Sequence, residues 1–294
     1  MPERYDRRRM GDRNDGRRLR TVSPVFQLTP FLMRSTSDAV NSFTDRADTD
    51  AMEAWLLARR AEGQEDLSLS HVFIAAYIRM LAHRPALNRF VAGRFLYARD
   101  HIEVVLSSGR NGEADAGALA VKVRFLPTDT VFDVYRKINA QVGTIKADEA
   151  AGRIERLAAT LVKTPRFVLR AGSAVIRWLD YHGWISDAWM ERSPFHGSVV
   201  ISDEGASGLP PVSRSLNSMG ALSMSLSIGR RHRVTELSRL GEPVERHYVD
   251  YAVSYDSRIA DSAYVGAAFK YFRHYLQNPA ELEKTPERVN DDAL

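Results

Sequence analysis

Cysteine is absent from the 294 residues, which excludes disulfides, thiolate metal sites and cysteine nucleophiles together. No run of about 18 apolar residues is unbroken, so no integral membrane span is expected. The N-terminus is too basic and too polar for a secretory signal, and a cytoplasmic location is the expectation. His, Asp and Glu do not fall at metal-holding spacings, and no internal repeat is visible. What is present is ordinary: 44% hydrophobic and 27% charged residues, enough for one large domain or two small ones with a sizeable core.

The net charge of +4 sits in one place. Residues 1–20 hold eight arginines against Glu3, Asp6, Asp12 and Asp15, and the rest of the chain is balanced. Acids interleave this arm and Tyr5 is its one aromatic, so it lacks the stacking pattern of single-strand binders. No nucleic-acid partner is expected. The plain reading is a flexible or neighbour-wrapping arm over 1–22.

Beyond the arm, "SPVFQLTPFLM" reads as an extended lead-in with two prolines. Asp50 and Glu53 have capping-box spacing, and Met52, Trp55 and Leu56 share a face, which predicts a helix over 50–61. "SLSHVFIAAYIRMLAHRP" is apolar nearly all round, as a buried helix is. "RFLYA", "HIEVVLSS" and "ALAVKVRF" read as strands, the last alternating Leu119, Val121, Val123 and Phe125 with polar residues. Thr130 with Asp133 opens a further helix. Strands "GSVVIS", "GALSMSLSIG" and "HYVDYAVSYD" precede a closing amphipathic helix, and the tail 283–294 is polar and expected to fray. Mixed strands and helices without a strict βαβ rhythm predict a two-layer α/β domain with a mixed sheet.

Residues 151–193 stand apart. They hold three of the four tryptophans and are interrupted by Arg166, Arg170, Arg177 and Asp180, too often for a bilayer span. Helices broken at Pro165 and Gly183 are expected. A hairpin packed on the domain, a subunit contact and an interfacial membrane helix all fit.

Four stretches, in order, carry a resemblance. "HVFIAAYIRMLAHRPALNRFV", "GSVVISDEGASG", "GALSMSLSIG" and "VSYDSRIADSAYVGAAFKYFRHYLQNPAEL" resemble the helix with "hPelN", the "GTFTISNLGxxG" strand, the "xAILGIG" strand and the "LSYDHRxIDGA" turn of 2-oxo-acid dehydrogenase acyltransferase catalytic domains. The likeness covers 23–282, with 151–193 as a helical insertion. It implies the chloramphenicol acetyltransferase-like α/β fold, a homotrimer with active sites between subunits, and assembly of trimers into larger homo-oligomers or filaments.

The resemblance also implies site residues. Acyl transfer from a thioester needs a base for the acceptor's proton and a donor for the tetrahedral oxyanion. In the family, a histidine four residues before the motif Asp is the base, and a serine of the "TIS" strand serves the oxyanion. Ser202 matches that serine, Asp261 the motif Asp and Arg258 the motif Arg. Ser257 stands where the base should be, and Ser262 replaces the motif glycine.

Serine cannot take over the task, because its alkoxide is inaccessible near neutral pH whereas imidazole titrates there. Loss of a general base costs roughly 10²–10⁴-fold. His196, read on the Ser202 strand, would lie ~20 Å away at strand rise. A relocated base would have to come from a neighbour's His71, His101, His196 or His232. Residues 1–22 are too short for a lipoyl or subunit-binding module, so a working dehydrogenase core is not expected. The expectation is a catalytically degenerate acyltransferase-like scaffold with no required cofactor. The alternative is an active coenzyme A-dependent acyltransferase with its base supplied from elsewhere.

Overall fold

The computed structural model describes residues 9–108, 119–144, 163–217, 220–238 and 241–292. Strands β2 (Val40–Asp48), β9 (Pro243–Asp256), β8 (Met224–Leu237), β7 (Val199–Asp203), β5 (Ile102–Ser108) and β6 (Leu119–Phe125) lie side by side in that order as one mixed sheet. β7 runs parallel to both its neighbours, and the other pairs are antiparallel. Period-two alternation sends Val104, Val123, Val199, Ile201, Leu226, Tyr251 and Val253 to one face, where they join the main core.

Four helices cover that face: α2 (Asp50–Ala61), α3 (Leu69–His83), α4 (Val131–Thr144) and α7 (Ser262–Gln277). α3 is buried continuously from His71 to Ala82, which its unbroken apolarity requires. Thr130 and Asp133 cap α4 reciprocally, as their spacing predicts. α2 differs. Thr49 is its cap residue, and the Asp50 carboxylate instead meets His247 Nδ1 at 2.8 Å, so no box forms there.

The lead-in to the domain is a helix, α1 (Pro24–Leu32), not an extended segment. Pro24 starts it where a missing N–H costs nothing. Pro30 lies inside and leaves the Phe26 carbonyl without its usual donor, but the Thr29 hydroxyl donates to that carbonyl at 2.7 Å. Sequence spacing does not show this repair.

Both ends of the chain are held. β1 (Gly16–Arg18) adds to β4 (Phe95–Arg99), which pairs with β3 (Arg89–Ala92) in a second small sheet. Arg13 is buried against Asp15 and Asp180, and Leu19 enters the core. The free arm expected over 1–22 is therefore, from residue 9 on, part of the domain; residues 1–8 lie outside the described residues. The tail is docked as well: Asp292 takes a two-point bond from Arg89 at 2.7 and 2.5 Å, and the Asn290 N–H donates to the Ala82 carbonyl.

β8 and β9 are longer than their apolar alternation suggests. Beyond a bulge after Ile228 they continue as an exposed ribbon whose residues pair diagonally across the two strands by charge and hydrogen bond, Arg233 with Glu245 and Tyr248 with Glu236. In 163–193, α5 (Arg166–His182) ends at Gly183 in the left-handed region, and α6 (Asp187–Arg192) follows. The rest of the expected insertion, 151–162, lies outside the described residues.

Phe272 on α7 is fully buried, edge-on to Phe73 and Tyr251 and against Phe269. Phe272→Ala should destabilise the protein by about 3–5 kcal/mol, read as a lower midpoint in urea unfolding.

Candidate functional site

β7 has two unlike faces. Val199 and Ile201 point into the core, so Val200 and Ser202 point to the other side of the sheet. Ser202 is cross-registered with Ser107 and Ser227, and Ser225, Ser227 and Ser254 line the same side. Small hydroxylated residues let backbone approach closely there. The segment around Pro211 lies over Gly229, where a Cβ would sit 2.4 Å from Pro211 Cδ, and the Val212 N–H donates to Ser227 Oγ at 3.0 Å. Ser202 is 3% exposed and its hydroxyl has no hydrogen-bond partner among the described residues. A buried unpaired hydroxyl costs about 1–3 kcal/mol, and the Ser254 hydroxyl on the same side of the sheet is in the same state.

The motif turn follows β9. Arg258 is buried and grips the Asp256 carboxylate from Nε at 2.9 Å and from an end nitrogen at 2.5 Å. It also donates to the Thr36 hydroxyl at 3.0 Å and the Met33 carbonyl at 3.3 Å, pinning the turn to the loop after α1. Ser257 donates its N–H to the Ala39 carbonyl at 2.8 Å, and its half-buried hydroxyl meets Met33 Sδ at 3.7 Å and no other hydrogen-bonding group among the described residues. Asp261 caps α7, accepting the Tyr264 N–H at 2.7 Å. Sequence reading missed Asp256 and Thr36. Asp256 stands two residues from Arg258 and was the available signal, but Thr36 is brought in only by folding.

Register separates the two halves. Ser202 faces Ser227, which faces Ala252, five residues short of Ser257 and two strands across from β7. At ~3.3 Å per residue and ~4.8 Å per strand, Ser202 and Ser257 are roughly 20 Å apart in one chain. Arg258 and Asp261 stay with Ser257. The structure therefore brings three of the four expected residues together and leaves Ser202 at the far end of the sheet.

Most of the histidines are otherwise engaged. His196 lies before β7, not on it, and is held by Ser193 at 3.0 Å and Asp180 at 3.3 Å. Burial works to raise the Asp180 pKa, but His196 and Arg13 together hold it below its ordinary value. His83 meets Tyr275, His182 the Trp178 carbonyl, and His274 Glu281. His232 lies 3.8 Å from Asp250, and His101 is exposed in the turn before β5. His71 Nδ1 receives the Ser68 N–H at 3.1 Å. None of these histidine contacts reaches Ser202, Ser257, Arg258 or Asp261.

Two clefts adjoin the candidate residues. One of about 340 Å³ is lined by Ala260, Asp261, Tyr264, Arg84 and Arg89. The other, about 370 Å³, opens beside Asp203, Ser70, Arg60 and Arg231. Arginines in both could face an anionic group, although Asp292 already neutralises Arg89.

Solved structures supply a match. A probable dihydrolipoamide acetyltransferase from Listeria monocytogenes aligns with a TM-score of 0.56 at 15% identity, over 90% of this chain and 95% of that one. This is an acyltransferase-core fold. A dihydrolipoamide acetyltransferase from Azotobacter vinelandii, in which a serine, a histidine and an asparagine were investigated for their catalytic role, aligns with a TM-score of 0.53 at 13% identity, over 90% and 94% of the two chains. The cubic core of a pyruvate dehydrogenase multienzyme complex gives 0.52 at 14%, again over 90% and 94%. At these identities the likeness is one of fold. No protein-family model matches the chain, and no curated protein matches it.

Within this fold, the Arg258 ion pair is a structural clamp. Arg258→Ala strands a buried carboxylate and should cost about 3–5 kcal/mol in urea unfolding, whereas replacing Asp256 and Arg258 together by Leu and Met should recover most of it. His71 gives a pH signature. Burial lowers its pKa from 6.5 to about 4 in the folded protein. Between those values the unfolded chain binds the extra proton, so stability falls as pH drops from 6.5 towards 4, by on the order of 3 kcal/mol. In His71→Gln the stability measured by urea unfolding should change less across that interval.

Proposed function

We propose that the protein is a catalytically degenerate member of the acyltransferase fold, working as a homo-oligomeric scaffold. The observation that carries this reading is Ser257. In the Azotobacter vinelandii enzyme the investigated histidine and asparagine are four residues apart, the spacing of Ser257 and Asp261 here. A serine hydroxyl at that place, near neutral pH, is no base. Asp261 and Arg258 have structural work in the cap and the ion pair, which explains their presence without catalysis.

Assembly is part of the proposal. Ser202 and position 257 lie too far apart within a chain to act on one carbonyl, so a complete site would have to be shared between copies. The cubic-core neighbour belongs to a multienzyme complex, which supports association of this fold into larger bodies. We place homotrimers, and larger assemblies of them, as the working unit.

The unpaired Ser202 hydroxyl favours a second reading, an acyltransferase that takes acyl groups from coenzyme A and borrows a base from a neighbouring copy. Ser202 would then hydrogen-bond the oxyanion as the thioester carbonyl becomes tetrahedral. Coenzyme A would leave as the free thiol.

Light scattering at micromolar concentration should give at least three times the 33.1 kDa of one chain; a monomer would remove the scaffold. With acetyl-coenzyme A and a panel of thiols and alcohols, thiol release should be flat for the native protein and should rise in Ser257→His. Turnover by the native protein would establish the second reading instead.

A further inference from the structure

The site leaves α5 unused. It is a 17-residue helix with no buried residue, about 25 Å long. Phe167, Ala171, Ala174, Trp178 and Tyr181 recur at helical spacing along its outer side, and Phe167, Trp178 and Tyr181 are 73%, 51% and 50% exposed. Trp184, just beyond the helix, is 64% exposed and packs edge-on against Trp178. An apolar stripe of this size is not left in water without a use.

Charge on that side has one sign. Arg166, Arg170 and Arg177 form a row flanking the stripe, all exposed, and among the described residues none meets a carboxylate. The only acid of α5, Asp180, is turned inward to Arg13 and His196. The surface continues across the β3–β4 hairpin. A Cβ on Gly93 would lie 2.6 Å from the Tyr181 carbonyl, and Arg94 sits over the Phe31 ring of α1 at 5.6 Å. α1 in turn exposes Val25, Leu28 and Leu32.

From this geometry we infer that α5 lies in the plane of an anionic phospholipid surface. Its aromatic stripe enters the boundary between headgroups and acyl chains, and its arginine row sits at the phosphates. Trp178, Tyr181 and Trp184 have the amphipathic rings that favour that depth. Charge complementarity selects the lipid over a second copy. An antiparallel pair of α5 helices would bring like rows of arginine together and no second-copy arrangement supplies acids from α5 to meet them, whereas an anionic bilayer offers a counter-charge for each arginine wherever it lies. The helix would lie on the bilayer rather than cross it; no described helix is long and apolar enough to span.

The test uses the full chain with sucrose-loaded vesicles, either phosphatidylcholine alone or phosphatidylcholine with phosphatidylglycerol. The protein should sediment with the anionic vesicles, less so as salt rises, and not with the neutral ones. Three of the four tryptophans lie in 178–189 and the fourth, Trp55, is buried, so brominated lipid should quench the fluorescence on binding. Arg166→Gln, Arg170→Gln and Arg177→Gln combined should weaken partition by about a hundredfold, on the order of fivefold per arginine. Trp178→Ser should weaken it too, with the solution mass unchanged. Because α5 buries nothing, these variants should keep the native unfolding midpoint. The inference is overturned by absence of sedimentation at low salt, by native binding in the triple variant, by absence of quenching, or by a change of oligomer mass in Trp178→Ser, which would make the stripe a contact between copies. Each readout is independent of acyl transfer.

Discussion

The antiparallel run of β9 against β8 is the constraint on which the rest of this molecule depends. β7 is parallel to β8, so β7 and β9 finish at opposite ends of the sheet. Ser202 closes one and the motif turn follows the other. No side-chain movement spans roughly 20 Å, so a centre needing both residues can form only between chains. The same strand order fixes where α7 begins, and with it the position of Asp261.

Around that constraint, residues with a chemical look carry structural loads. Arg258 neutralises a buried Asp256 and reaches the loop after α1, so its removal would unlock the turn as well as leave a charge in the interior. Asp261 satisfies an open N–H of α7. Ser202 differs from these two, because its hydroxyl meets no hydrogen-bond partner among the described residues. A scaffold tolerates that small cost, while a shared active site would use it.

The edge of the domain is organised differently. Arg13 joins the N-terminal strand to the end of α5 through Asp180, which His196 also holds. One buried guanidinium thus anchors a helix that buries none of its own residues. The helix is fixed at its C-terminal end and presents the rest of its length outward, a geometry suited to meeting a surface.

Much of the domain was legible from local pattern. Period-two alternation located the strands around the core, continuous apolarity identified α3 as buried, and Thr130 with Asp133 marked the start of α4. The substitution at Ser257 was visible as soon as the motif was. The failures share a cause. Pro30 sits in a helix because a neighbouring hydroxyl mends the bond it breaks, and β8 and β9 continue past their apolar stretch because charges pair across the ribbon. The arm and tail are ordered by Asp180 and Arg89, both remote in sequence. The sequence by itself determined the core faces and the identity of the motif residues, since those follow from spacing and side-chain chemistry. Only the tertiary structure decided that Ser202 and Ser257 stand at opposite ends of the sheet and that α5 faces outward, because strand direction and packing are set by contacts between distant segments.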